Sequence, residues 1–183
     1  MSYILYKPNK SNTGSACQLN IKADESCLFI QISKQIEWKD GKGVFKGAQR
    51  LVSKCSIWEI GAILNCLEKN VDYSTVHQTK ESQTQVKFGR YFKYDYEKKV
   101  YTTEQLGYSF SLGRKKGETT EWFKIGINFG EAEVLKSYLR WGLSTIYTEQ
   151  YLHRNDEKPN KPEKAPEPQN SEPVEPPTDD GSL

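Results

Sequence analysis

Hydrophobic and polar residues alternate along residues 27–38, CLFIQISKQIEW, as they do in a half-buried β-strand. Leu28, Ile30 and Ile32 fall on one face, and polar residues, Gln35 among them, fall on the other. The preceding stretch SACQLNIK predicts a partner strand across an ADES turn. The following stretch GVFKGAQRLVSKC predicts two more short strands.

The period of the pattern changes at Ser56. Glu59 follows three residues later, which is the reciprocal capping pattern of a helix start. Apolar residues then recur at helical spacing, and the helix is expected to end near Asn70. The first half of the chain therefore predicts the order β-β-β-β-α.

The second half repeats this order. Its strand candidates are rich in aromatic and β-branched residues and read DYSTVHQT, TQVKFGRYFKYDY, GYSFSLGRK and TEWFKIGIN. Asn128 stands three residues before Glu131 and opens a long amphipathic helix. The apolar positions of that helix are Val134, Leu135, Tyr138, Leu139 and Ile146. The chain thus predicts β-β-β-β-α twice.

Charge and composition divide the chain near residue 153. From Asp156 to Leu183 eight acidic residues face three lysines, a net charge of −5, which leaves +7 on the other 155 residues. Seven of the eight prolines also lie after position 158. We therefore predict an N-terminal arm over residues 1–14, a folded domain over residues 15–153 and a disordered, proline-rich acidic tail over residues 154–183.

Several kinds of site and compartment are not suggested by the sequence. Four cysteines without a C-x-x-C pair and two histidines predict neither a metal site nor a disulfide framework, and no cofactor is expected. No apolar run approaches the roughly 18 residues of a membrane span, and the N-terminus lacks the layout of a signal peptide. We expect a cytoplasmic protein that does not bind membranes.

Two stretches of the chain together form a recognisable pattern. They are CLFIQIS…GVFKGAQRLVSKCSIWEIGAIL, with Glu59-Ile60-Gly61 in the helix, and YSFSLG followed by TEWFKIGINFGEAEVLKSYLRWGL. Both resemble the Whirly family of single-stranded-DNA-binding proteins. The resemblance implies an α+β fold of two four-stranded antiparallel sheets packed with two helices. It also implies a homotetramer formed through the helices, with single-stranded DNA held across sheet edges.

The resemblance has one departure. The Lys-Gly-Lys-Ala-Ala-Leu motif of plant Whirly proteins is absent, and the corresponding region reads GSACQLNI. We therefore expect a distant relative without the plant-type higher assembly, from a phage or another virus. A phage-encoded protein would act in the cytoplasm of its host.

The predicted strands also carry the chemistry of single-strand binding, which combines cations for the phosphates with aromatic faces for the bases. In TQVKFGRYFKYDY and TEWFKIGIN an aromatic residue and a lysine share the face that should meet solvent. A basic run interrupted by aromatic residues lies in the first half. The predicted nucleic-acid-binding residues are Trp38, Phe45, Lys46, Arg50, Lys54, Lys87, Tyr91, Lys93, Arg114, Lys115, Trp122 and Lys124.

Other interpretations of the same residues stay open. An exposed lysine on a strand commonly serves solvation, and Trp122 could be buried in a subunit interface. Trp58 and Trp141 are expected in the core or an interface. RNA is an alternative ligand of this architecture, and an acidic protein is an alternative partner of the basic face.

An enzyme is the weak alternative. GKGVFKG lacks the Lys-Ser/Thr ending of a phosphate loop, and Asp95 and Glu97 beside two lysines are explained by a charged hairpin. We expect no catalytic residues. The expected function is weakly sequence-specific binding of single-stranded DNA in replication or recombination.

The tail adds an expected partner site. Its ending, TDDGSL, is similar in layout to the acidic tails of replication single-strand-binding proteins, whose tips recruit other replication proteins. We expect Asp179, Asp180 and Leu183 to recruit replication or recombination proteins, while the tail competes with DNA for the basic body. A solubilising role alone is the alternative.

Overall fold

The computed structural model describes residues 2–156, without the side chains of residues 155 and 156, so the predicted tail lies outside the described residues. Ten strands and two helices follow one another along this part of the chain. They are β1 (Ser2–Lys7), β2 (Ser15–Lys22), β3 (Cys27–Lys34), β4 (Glu37–Lys39), β5 (Lys42–Val44), β6 (Arg50–Ser56), α1 (Ile57–Lys69), β7 (Tyr73–Gln78), β8 (Gln83–Asp95), β9 (Val100–Lys116), β10 (Thr119–Asn128) and α2 (Phe129–Asp156).

Eight of the strands form two four-stranded sheets. The first sheet has the order β1-β2-β3-β6, the second has the order β7-β8-β9-β10, and all neighbouring strands in both are antiparallel. In each half the last strand leads directly into a helix. The α+β class and the two four-stranded antiparallel sheets are confirmed, whereas the predicted order β-β-β-β-α holds only for the second half, because six strands precede α1 in the first.

The first sheet takes its outer strand from an unexpected segment. Residues 2–7, which we predicted as part of an arm, form β1 and pair with β2 along six positions from Ser2↔Asn20 to Lys7↔Ser15. The hairpin β4–β5, which the pattern placed among the main strands, forms a separate two-stranded sheet. β1 is favoured because Leu5, on its inward face, is buried in the core.

Strand β3 ends four residues earlier than predicted, because Gln35 turns inward. Gln35 is 6% exposed, so its assignment to the solvent face was wrong. Its Oε1 accepts a hydrogen bond from the Asn9 backbone at 2.9 Å, and its Nε2 donates to the Asn9 and Glu37 carbonyl oxygens, each at 2.9 Å. The buried amide thereby ties the loop after β1 to the end of β3.

Both helices begin with the predicted capping boxes. Ser56 Oγ accepts from the Glu59 backbone N–H at 3.4 Å, and Glu59 Oε2 accepts from the Ser56 N–H at 2.8 Å. Asn128 and Glu131 make the equivalent pair of bonds at 2.8 and 2.9 Å. Asn70 caps the C-terminal end of α1 in the left-handed conformation, with φ 53°.

The capping glutamates also join the two halves. Glu59 at the start of α1 contacts His77 of β7, the first strand of the second sheet, with 2.6 Å between Oε1 and Nε2. Glu131 at the start of α2 forms an ion pair with Lys7 of β1, the first strand of the first sheet. Each helix start is therefore linked to the outer strand of the opposite sheet, so the repeat includes its tertiary contacts.

One core lies between the inward faces of the sheets and the buried sides of the helices. Its largest fully buried side chains are Leu19, Leu28, Ile30, Ile32, Leu51, Ile60, Ile63, Phe88, Phe110, Leu112, Phe123 and Ile125. On α2, Leu135, Tyr138, Leu139 and Ile146 are buried as predicted, whereas Val134 is exposed. All four cysteines are buried and free of disulfides.

The tryptophans of the helices do not lie in this core. Trp58 on α1 is 79% exposed and Trp141 on α2 is 42% exposed, so the core half of their expected placement was wrong and the interface half stays a prediction. Within residues 2–156, neither α1 nor α2 combines the length and apolar character that a membrane span needs.

Candidate nucleic-acid interface

The outward face of the second sheet brings three predicted strands together. Lys87 of β8 is paired with Ser111 of β9, which is paired with Lys124 of β10, so the two lysines flank one serine on a single row. Two strand spacings, about 10 Å, separate their backbones. Phe123, Ile125 and Ile127 alternate with Trp122 and Lys124 and are buried, as predicted from the pattern.

Each of these lysines lies over an aromatic ring. Lys87 Nζ is 4.8 Å from the centroid of Trp122, and Lys124 Nζ is 4.8 Å from the centroid of Tyr91. Trp122 is 43% exposed and Tyr91 is partly buried. We call Lys87, Trp122, Lys124 and Tyr91 the ring–lysine site. Its ammonium groups and aromatic faces stand together, as cation–π contacts require.

Small residues form the floor of this site. A Cβ added at Gly113 would lie 2.7 Å from Cη2 of Trp122, so the indole packs directly on the glycine backbone. A groove of about 380 Å³ crosses the sheet beside Ser109, Ser111, Lys87 and Lys124. Because glycine and serine leave room above the strands, the rings lie low and the groove stays open.

Burial lowers the pKa of one lysine of the site. Desolvation lowers the pKa of Lys124 from its usual value of 10.5. Its ammonium is therefore less well hydrated than that of a free lysine, and an approaching phosphate has less water to displace from it.

The first sheet brings together a second group of predicted residues. Phe45 contacts the outward-facing Tyr6 edge-on, with 5.6 Å between ring centroids. Lys46 and both rings line a pocket of about 260 Å³ whose floor includes Gln18 and Gln31. Arg50, at the start of β6, is exposed and is paired with Ser33 of β3.

The remaining predicted residues are not joined to either group. Lys54 pairs with Glu25 at 2.7 Å and Lys93 pairs with Glu104 at 3.0 Å. Arg114 donates to the Val52 carbonyl at 3.1 Å and so links β9 to β6, whereas Lys115 is exposed near the end of β9. Trp38 is partly buried on the hairpin β4–β5, opposite Gly43.

The pattern missed several aromatic residues that the structure adds to these faces. Tyr6 was overlooked because residues 1–14 were treated as an arm, although the alternation of Tyr6 with buried Leu5 was a readable signal. Phe29 lies on the outward face of β3, 5.6 Å below Lys54 Nζ. Tyr94 and Tyr101 face each other across β8 and β9. Their pairing could not be predicted because it follows a shift in strand register.

A polar chain also joins β6, β7 and α1. Ser53 Oγ lies 3.1 Å from His77 Nδ1, and His77 Nε2 lies 2.6 Å from Glu59 Oε1. Burial opposes ionisation of Glu59, but hydrogen bonds from Ser56 and His77 outweigh it, so the pKa of Glu59 lies below its usual value of 4.5. Ser53 is 4% exposed, which suits a structural clamp better than a nucleophile.

Comparison with known proteins identifies the fold. No family model and no curated protein matches the chain. The structure of the plant transcriptional regulator PBF-2 is similar with a TM-score of 0.59 and 14% identity, covering 87% of this chain and 88% of that one. WHY3 from Arabidopsis thaliana is similar with a TM-score of 0.59 and 13% identity, covering 85% and 93%.

An RNA-bound structure has the same architecture. It is a guide-RNA-binding protein complex bound to a guide RNA, similar with a TM-score of 0.54 and 11% identity, covering 85% of this chain and 92% of that one. The chain therefore has the Whirly fold, as the sequence resemblance implied. The sources that these structures name are plants, so the expected viral origin gains no support from them.

Proposed function

We propose that this chain is a non-enzymatic protein that binds single-stranded nucleic acid with weak sequence specificity. The observation that carries the proposal is the ring–lysine site, where Lys87 lies over Trp122 and Lys124 lies over Tyr91 beside an open groove. Lysines bind phosphates of any sequence, and aromatic faces stack on any base. Similar solved structures that include a guide-RNA complex support the same general function.

The geometry favours a single strand over a duplex. Trp122 and Tyr91 can stack only on bases that are not already stacked in a double helix. Both described helices bury one side against the core, and the lysines of the ring–lysine site lie on strands, not on a groove-reading helix. Such a surface contacts few base edges directly, which supports weak sequence specificity.

Single-stranded DNA in replication or recombination is our preferred ligand and setting, and RNA is the second candidate. RNA is kept as a candidate because of the likeness to a guide-RNA-binding complex. A titration of the full chain against single-stranded DNA, single-stranded RNA and duplex DNA of matched length separates these cases. We expect the single strands to bind more tightly, with an affinity that falls steeply as salt increases. Equal or tighter binding of duplex would contradict base stacking.

We also propose that the chain forms a homotetramer through its helices. Large apolar side chains remain exposed along α2 after the core is complete. They are Phe129, Val134, Trp141, Tyr147, Tyr151 and Leu152. Burial of this surface between chains would remove it from water. Light scattering at micromolar concentration should give four times the monomer mass of 21.1 kDa. A particle with the mass of one monomer would contradict the proposal.

The acidic tail is proposed to regulate binding. It carries −5 beside a body of +7, so it can compete for the cationic face at high local concentration. Truncation after His153 should tighten binding of single strands at low salt, with a difference that shrinks as screening increases. It should also abolish recruitment of replication or recombination proteins by Asp179, Asp180 and Leu183. Identical binding and recruitment would leave the tail as a solubiliser.

A further inference from the structure

The hairpin of β8 and β9 extends beyond the second sheet. β7 pairs with β8 only as far as Phe88, and β10 pairs with β9 only from Gly107 onward. Residues 92–105 therefore form a two-stranded arm, and register shifts at Tyr91, Phe92 and Tyr94 mark its base. Such shifts bend a hairpin and redirect its side chains.

The arm is ordered by its own contacts. Asp95 Oδ1 accepts hydrogen bonds from the Glu97 and Lys98 backbone N–H groups, each at 3.0 Å, and closes the turn. Lys93 and Glu104 form an ion pair at 3.0 Å across the two strands. The arm therefore presents a defined surface rather than a loose loop.

Tyrosines collect where the arm meets the sheet. Tyr94 contacts Tyr96 and Tyr101 edge-on, with centroid distances of 5.0 and 5.1 Å. They surround a pocket of about 450 Å³, which we call the tyrosine pocket and which is lined by Tyr91, Tyr94, Tyr96, Tyr101, Lys124 and Gly126. This volume lies within the range of ligand pockets, about 300–1,000 Å³.

Two of these tyrosine rings are mostly exposed, so packing within the arm does not explain their positions. Tyr96 is 84% exposed and Tyr101 is 65% exposed, so most of each ring contacts solvent. Within residues 2–156, no carboxylate lines the pocket, and the one charged group there is Lys124. Aromatic faces around a single ammonium suit a base attached to a phosphate.

We infer that the tyrosine pocket holds an unstacked base of the strand that crosses the second sheet. Tyr91 and Lys124 belong both to this pocket and to the ring–lysine site, so one strand can pass from one to the other without a gap. The inference rests on the proposed function and adds a second binding position to it. Gly126 lies beside the Tyr91 ring, since a Cβ added there would be 3.6 Å from it, an ordinary van der Waals distance.

Photo-crosslinking tests this position in the unmodified protein. Oligothymidylate carrying one 5-iodo-deoxyuridine at successive positions is irradiated with the full chain and the complex is digested with trypsin, or 5-iodouridine in oligouridylate is used if the titration favours RNA. Cleavage after Arg90, Lys93 and Lys98 places Tyr91 on peptide 91–93 and both Tyr94 and Tyr96 on peptide 94–98. We expect crosslinks on peptide 94–98 at one or a few adjacent base positions.

A pair of variants tests whether the rings bind. Tyr96→Leu combined with Tyr101→Leu should weaken binding of long oligonucleotides about tenfold, which is the loss expected for one stacked base, and should leave shorter ones unaffected. Tyr96→Phe combined with Tyr101→Phe keeps the rings and should bind as the unmodified chain does. This matched control separates loss of stacking from loss of the hydroxyl groups.

The outcomes distinguish this inference from the function on which it rests. If the unmodified chain binds no single strand, the proposed function fails. If it binds, but peptide 94–98 carries no crosslink and the leucine variant binds oligonucleotides of every length normally, the tyrosine pocket is overturned while the proposed function stands.

Discussion

The first and second sheets repeat one strand order, one capped helix and one link from the helix start to the opposite sheet, but their outward faces differ. The strands of the first sheet contain no glycine. Those of the second contain Gly89, Gly107, Gly113 and Gly126. The repeated features serve the fold, whereas Gly113 lies under the Trp122 ring and Gly126 lies beside the Tyr91 ring, the two rings that contact Lys87 and Lys124.

The cations differ in the same way. On the first sheet, Lys54 lies over the Phe29 ring but is also paired with Glu25, which neutralises part of its charge. On the second sheet, Lys87 and Lys124 lie over aromatic rings, which leave their charge in place. We therefore expect the second sheet to contribute most of the binding, and the predictions below test this difference.

The largest effect is expected from the aromatic rings of the second sheet. Tyr91→Ala and Trp122→Ala should each weaken single-strand binding by about 1–3 kcal/mol, because each removes one stacking face. Folding should survive, since both side chains lie on the outward face. Fluorescence anisotropy measures the affinity and circular dichroism checks the fold. If the Trp122→Ala variant loses the quenching of tryptophan fluorescence by oligonucleotide but keeps its affinity, Trp122 lies in an interface instead.

A smaller effect is expected on the free energy of unfolding and its dependence on pH. The lowered pKa of Glu59 means that its contribution is complete above its usual pKa of 4.5 and is lost as the pH falls through the folded-state value. Glu59→Gln should cost about 1 kcal/mol at pH 7 and should flatten this part of the pH profile. Urea unfolding at pH 7 and pH 4 measures both. If Glu59→Gln leaves the pH dependence unchanged, Glu59 does not cause the loss of stability in acid.

The glycine floor should also matter for binding. Gly113→Ala places a methyl group against Trp122, so the indole must tilt and affinity should fall by up to about 1 kcal/mol. Gly61→Ala is the matched control, because among the described residues a Cβ added there would meet no atom within 4 Å beyond its chain neighbours and the backbone of its own helix. It should leave binding unchanged while favouring the helix. Equal affinities of the two variants would show that the Trp122 indole does not need a glycine at position 113 to bind.

The smallest effect is expected on the first sheet. Tyr6→Ala and Phe45→Ala should each weaken binding by less than about 1 kcal/mol, because these rings meet edge-on and cover part of each other's surface. The same anisotropy titration applies. Losses as large as those of Tyr91→Ala would show that the two sheets bind equally and would end the distinction between them.

Local patterns in the sequence were enough to predict most elements of the fold. Alternation identified β2, β3 and β10, and the capping pairs Ser56/Glu59 and Asn128/Glu131 located both helix starts, because these signals depend on residues that are neighbours in the chain. The aromatic and lysine pairs on β8 and β10 were likewise visible as shared strand faces.

The tertiary structure decided which strands pair and which side chains meet. The choice of β1 over the hairpin β4–β5 depends on contacts with residues far along the chain, as does the inward turn of Gln35. Lys87 reaches Trp122 only because β9 sets the register between β8 and β10. The tyrosine pocket and the Ser53–His77–Glu59 chain arise in the same way, since distances between strands are fixed by packing and register and not by spacing in the sequence.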